Sequence, residues 1–127
     1  MFKTLELTST DSGFRAVVAA DSENGIYKVH FPGCPVIPGA CLVEEVMHLM
    51  QHHYGRKMRL RELKSVKFIS IIHPDGNDHI EFDIQTVVVK GQFADGSMQS
   101  DTSEHIVKAT ISKGGEICAK MSLIFSD

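Results

Sequence analysis

The sequence predicts an α+β fold in which a curled antiparallel sheet of about six strands wraps around one central helix. Three observations predict it. Residues 40 to about 53 contain no helix breaker and are apolar round most of the helical circumference, the mark of a buried helix. The second half of the chain is a succession of runs rich in Ile, Val, Phe and Thr, separated by turn residues, which reads as strands. Two further strand-like runs precede the helix, and a sheet curled over one helix accommodates that order.

The elements follow from local signals. Residues 4–8 and 14–20 read as strands joined by a polar turn at 9–13. Residues 21–25 form a second turn containing Asn24-Gly25, and 26–31 a short extended piece. Pro32-Gly33-Cys34-Pro35 and Pro38-Gly39 punctuate a loop that leads into the helix. Pro38 suits the helix start and Gly55 the position just past its end. Strands are expected at 63–72, 79–89, 105–112 and 116–125, with turns at 74–77 and 113–115 and a polar loop at 90–104.

A chain of 127 residues suits a single domain, 1–127, able to bury a core without metal or disulfide help. No apolar run is long enough to span a bilayer, and the N-terminus lacks the apolar stretch of a secretory signal, so a cytoplasmic location is expected. The formal net charge of -3 argues against generic nucleic-acid binding. Yet six of the thirteen basic residues, Arg56, Lys57, Arg59, Arg61, Lys64 and Lys67, fall in one short stretch. They form either a solvated surface or a docking patch for an acidic partner. Cys34, Cys41 and Cys118 show no metal-ligand spacing and suit reduced thiols. His48 and His52, with Glu44 or Glu45 and His53 nearby, have a spacing that could share a metal. A polar helix end explains them without one, and no cofactor or metal is expected.

The chemistry-bearing stretch is His30-Phe31-Pro32-Gly33-Cys34-Pro35-Val36-Ile37-Pro38-Gly39, followed on the helix by Glu44. It resembles the signature of the 3-hydroxyacyl-acyl-carrier-protein dehydratases, which are hot-dog-fold proteins. That signature joins a His-Phe-Pro-Gly tetrapeptide, a second Pro, a Pro-Gly pair at the helix start and an acid five residues after that Gly. All stand in register here. The resemblance implies that His30 takes the proton from the carbon beside the thioester carbonyl, a task suited to an imidazole near neutral pH. Glu44 matches the acid that handles the departing hydroxyl, and burial on an apolar helix face would raise its pKa. Glu45 is expected to be solvated. Gly39 matches the glycine whose backbone N–H polarises the carbonyl, at a helix N-terminus that favours negative charge. Its lack of a side chain would let substrate approach closely.

The resemblance also implies a homodimer, because the family's acid and base meet from opposite subunits. It implies an apolar acyl tunnel along the helix, with Phe31, Pro38, Val43 and Met47 as candidate lining. The substrate would be a thioester of acyl carrier protein or coenzyme A, and Arg56, Lys57, Arg59 and Arg61 are the candidate carrier-docking residues. The chain departs from the pattern at Val29, where the family commonly has Gly, and at His48, where it commonly has Gln. Ile69-Ser70-Ile71 stands where basic residues are common. These departures suit fatty-acid synthesis less than a related lipid or polyene pathway. The rival readings are a hot-dog thioesterase and a non-catalytic acyl-binding partner.

Overall fold

The structure is a computed structural model that describes residues 2–20, 36–74, 79–90 and 103–126. His30, Phe31, Pro32, Gly33, Cys34 and Pro35 therefore lie outside the described residues. So do the expected turn at 21–25, the extended piece at 26–31 and most of the expected loop at 90–104.

Strands β1 (Phe2–Thr10) and β2 (Gly13–Ala20) precede helix α1 (Gly39–Tyr54), and β3 (Arg59–Phe68), β4 (His79–Lys90), β5 (Ser103–Lys113) and β6 (Glu116–Ser126) follow it. The six strands form one sheet in the order β1-β2-β4-β5-β6-β3, with every neighbouring pair antiparallel. β1 and β3 are its edges. Two tight turns close hairpins. Thr10 pairs with Gly13 across Asp11-Ser12, and Lys113 pairs with Glu116 across Gly114-Gly115, both at positive φ. Paired positive φ values give a turn whose twist matches that of the strands.

Alternation along the strands builds the core. Phe14, Ala16 and Val18 on β2, Ile80, Phe82 and Ile84 on β4, Val107, Ala109 and Ile111 on β5, and Ala119, Met121, Leu123 and Phe125 on β6 are buried together. The helix meets them with Leu42, Val46, Leu49 and Met50. Pro38 is the helix N-cap residue, and Gly55 ends the helix in the left-handed region, its N–H bonded to the Gln51 carbonyl at 2.8 Å. No helix among the described residues is long and apolar enough to cross a membrane.

β3 lies four residues ahead of its expected position. Apolar content pointed to 63–72, whereas pairing with β6 runs from Arg59↔Ser126 to Phe68↔Ala119. Charged residues before Leu63 are strand because they pair with β6, and an edge strand, open to solvent, accommodates exposed Arg and Lys. Residues 69–72 follow as irregular backbone, with Ile69 and Ser70 N–H groups donating to the Cys118 carbonyl at 2.7 and 3.0 Å.

Candidate functional site

The site is built around the N-terminus of α1. The Ile37 N–H donates to the Ile72 carbonyl at 2.9 Å, which ties the segment before the helix to the segment after β3. The helix begins with no side-chain cap and no acid in its first turn. The first N–H groups of an α-helix lack an i−4 carbonyl and carry the positive end of the dipole; here the Cys41 N–H donates to the Pro38 carbonyl at 3.0 Å. The helix N-terminus opens beside an apolar pocket of about 330 Å³ lined by Ile37, Gly39, Leu42, Phe68, Ile71 and Ile72 among others. A Cβ at Gly39 would run into the Phe68 ring. The absence of a side chain at Gly39 thus leaves room for Phe68.

The phase of the helix decides which acid is buried. Leu42, Glu45, Val46, Leu49 and Met50 are buried, at the i, i+3, i+4, i+7, i+8 spacing of a core-facing stripe. Ala40, Glu44, His48 and His52 form the exposed row. The expectation for the two acids is therefore reversed within the chain. The Glu44 side chain is 61% exposed and that of Glu45 8%. Burial pushes the Glu45 carboxyl up to about 7, and the charge of Glu44 adds to the rise. The apolar neighbours of Glu44 in sequence, Cys41, Val43 and Met47, pack toward the core at the side of the stripe and leave Glu44 itself in solvent.

His48 lies between the two acids. Its Nε2 is 3.7 Å from Glu44 Oε1 and its Nδ1 4.0 Å from Glu45 Oε2. The three histidines of α1 do not gather. His53 stacks on Phe14 at 4.3 Å and meets Tyr54 edge-on, while His48 and His52 face solvent. Among the described residues, no group of three or more His, Cys, Asp or Glu side chains could hold a metal ion. Cys41 and Cys118 are free, and burial raises both thiols above their ordinary range, opposite to what a nucleophile needs.

Of the candidate lining residues, Pro38, Val43 and Met47 are half-buried. Val43 and Met47 pack against the core beside the row that carries Glu44. The basic cluster divides. Arg59 and Arg61 are exposed on edge strand β3 and Lys57 just before it. Arg56 turns its guanidinium to Nε2 of the buried His105 at 3.4 Å, so part of its role is structural. Sequence reasoning missed the burial of His105 and of Glu45. Parity would have found the first, since it alternates with Val107, Ala109 and Ile111. Helical spacing from Leu42 and Leu49 would have found the second.

A family model described as ApeI dehydratase, of the ApeI-like family, matches residues 6–108. A 3-hydroxyacyl-[acyl-carrier-protein] dehydratase, FabZ, of Clostridium acetobutylicum is 30% identical over 73 residues, 52% of this chain and 50% of the relative. The match thus spans half the length of that relative. Among solved structures, the dehydratase heterocomplex ApeI:P from Xenorhabdus doucetiae aligns with a TM-score of 0.74 at 14% identity, covering 100% of this chain and 99% of the other. A mutant thioesterase from Pseudomonas aeruginosa aligns at 0.62 and 9% identity, covering 98% and 79%. These likenesses show the hot-dog fold, which thioesterases and dehydratases share, and the family match separates the two: the chain belongs to the ApeI-like dehydratase family.

Proposed function

We propose that the chain removes water from a 3-hydroxyacyl thioester to give the trans-2-enoyl thioester, in fatty-acid synthesis or a related lipid or polyene pathway. The observation that carries the reading is the spacing of Gly39 and Glu44 on α1. An uncapped helix N-terminus opens on an apolar pocket, and a carboxyl stands five residues along the same helix. Donors at Gly39 suit the thioester oxygen, where negative charge develops when the C2 proton leaves. Glu44 then protonates the departing hydroxyl at C3, and His30 is the base at C2. Val43 and Met47, with Pro38 and Phe31, would line the acyl chain.

A second chain completes this reading. Leu63, Phe68, Ile69 and Ile71 are exposed on or next to edge strand β3, apolar side chains that a partner would cover. We take the partner to be a second copy of this chain. The Xenorhabdus match is to a heterocomplex, so a different hot-dog chain is the other outcome. Lys57, Arg59 and Arg61, with Arg56 at their margin, would receive an acidic carrier protein.

The test is dehydration of a panel of 3-hydroxyacyl thioesters on acyl carrier protein and on coenzyme A by the unaltered chain, His30→Ala and Glu44→Gln. Each variant is expected to lose roughly a hundredfold or more in kcat. His30→Ala should also abolish exchange of the C2 proton with solvent deuterium, while Glu44→Gln should retain some. Exchange that survives His30→Ala and vanishes in Glu44→Gln would swap the two roles. Hydrolysis of the thioester with no dehydration would favour the thioesterase reading.

A further inference from the structure

The proposed chemistry uses Glu44 and leaves unexplained a second carboxyl one residue away. Glu45 sits on the core-facing stripe of α1 between Leu42 and Val46, where a charged group is expensive to keep. Leucine at this position would extend the apolar stripe without cost. The buried acid is not isolated from the site. His48 stands one turn along, on the exposed row with Glu44, and its two ring nitrogens face different carboxyls. Nε2 faces Glu44 at 3.7 Å and Nδ1 faces Glu45 at 4.0 Å. Both distances are about 1 Å beyond an N–H···O hydrogen bond, so transfer requires a side-chain rotation. An imidazole can take a proton on one nitrogen and give one from the other. Glutamine, which the resembled family commonly has at this position, cannot.

We propose that Glu45 and His48 form a proton relay that recharges Glu44 between turnovers, with Glu45 as a buried proton store and His48 as the carrier. The inference rests on the dehydratase reading of Glu44. In one turnover His30 gains the C2 proton. The C2–H electron pair becomes the C2=C3 bond, the C3–O bond breaks, and the hydroxyl leaves with the Glu44 proton as water. Glu44 is left as a carboxylate and His30 as an imidazolium. The relay gives Glu44 a proton from His48 Nε2 while His48 Nδ1 receives one from Glu45. His30 releases its proton to solvent, and His48 returns its Nδ1 proton to Glu45 as Nε2 takes one from solvent, which restores the starting tautomer. The sum is one water made from substrate, with no net proton change in the protein.

Burial suits Glu45 to this task, since desolvation holds its carboxyl at about 7, where it is both a proton donor and a proton acceptor near neutrality. Among the described residues, Glu44 is the charge that adds to the rise. Glu45 and His48 are positioning and relay residues in this scheme. Neither needs to touch the substrate.

The experiment measures kcat and KM for dehydration across the neutral pH range in the unaltered protein, Glu45→Gln, His48→Gln and the double variant. It also follows the Glu45 carboxyl carbon by NMR titration in the unaltered protein and in His48→Gln. Each single variant should lose roughly tenfold in kcat with KM unchanged, and the double should be no worse than either single. The decline of kcat as pH rises through neutrality, where Glu45 empties, should be absent from Glu45→Gln. The Glu45 titration should move when His48 is replaced. Wild-type kcat and pH profile in Glu45→Gln or His48→Gln, alongside an inactive Glu44→Gln, would overturn the relay and leave the dehydratase reading standing. If the unaltered protein dehydrates nothing, that reading fails instead. The carboxyl titration then decides the coupling: a Glu45 signal in the ordinary carboxylate range, or one indifferent to His48, overturns it.

Discussion

The ring of Phe68, on edge strand β3, lies against the backbone of Gly39 at the start of α1, where a Cβ would have no room. The contact fixes the distance between the helix N-terminus and the strand that would meet a second chain. It makes Phe68 one wall of the apolar pocket beside the Gly39 N–H. Gly39→Ala should displace the ring, cost about 1–3 kcal/mol of stability and lower dehydration by more than the stability loss explains. Gly39→Ala with Phe68→Ala should recover part of the stability, a positive coupling in a double-mutant cycle read by urea unfolding. Unchanged stability in Gly39→Ala would mean that the contact is not maintained in solution.

Burial of Glu45 also predicts how stability depends on pH. Its carboxyl is raised from 4.5 to about 7, so between those values the folded chain holds a proton that the unfolded chain has lost. Stability is greatest below the unfolded value, falls as pH rises toward about 7 and levels off above it. At full effect the loss is roughly 3 kcal/mol. Glu45→Gln should therefore be more stable than the unaltered protein at alkaline pH, with the gain shrinking to nothing under acid conditions. Chemical denaturation at several pH values measures this. A variant destabilised equally at every pH would contradict it.

The exposed apolar side chains of β3 and its continuation predict association. Light scattering should find at least a dimer, and Leu63→Glu should shift it toward monomer because a charge would enter the covered patch. Mixing His30→Ala with Glu44→Gln subunits should restore part of the activity through hybrid sites. A fully active monomer would end the shared-site reading.

Carrier docking should separate the basic residues by what each touches. Charge reversal at Arg59 and Arg61, both exposed, should raise KM for a carrier-bound substrate and spare a small thioester. Arg56→Ala should instead cost stability, about 0.5–1.5 kcal/mol, because its guanidinium meets buried His105. Equal effects of the Arg59 and Arg61 changes on both substrates would remove the docking role.

Most of the fold was legible because the chain marks its elements. Gly55 stops the helix, Gly114-Gly115 turns the last hairpin, and alternation such as that around Phe82 shows which strand face is buried. β3 was misplaced because its apolar residues are sparse: an edge strand is held by pairing with β6 and keeps charges where an inner strand would have Val or Ile. The Gly39–Glu44 spacing was legible as a motif. The burial of the acids was not, because neighbours in sequence suggested an apolar setting for Glu44, while the 3.6-residue period turns Glu45 inward. Arg56 and Lys57 looked like one patch, and only the position of His105 on β5 distinguishes them.

The measurement that bears most directly on the central claim is mass spectrometry of a 3-hydroxyacyl carrier protein after incubation with the purified chain. The account predicts that the acyl group stays on the carrier and loses one water, with the reverse hydration seen from the trans-2-enoyl thioester. A free acid and a discharged carrier, with no dehydrated thioester formed, would contradict it.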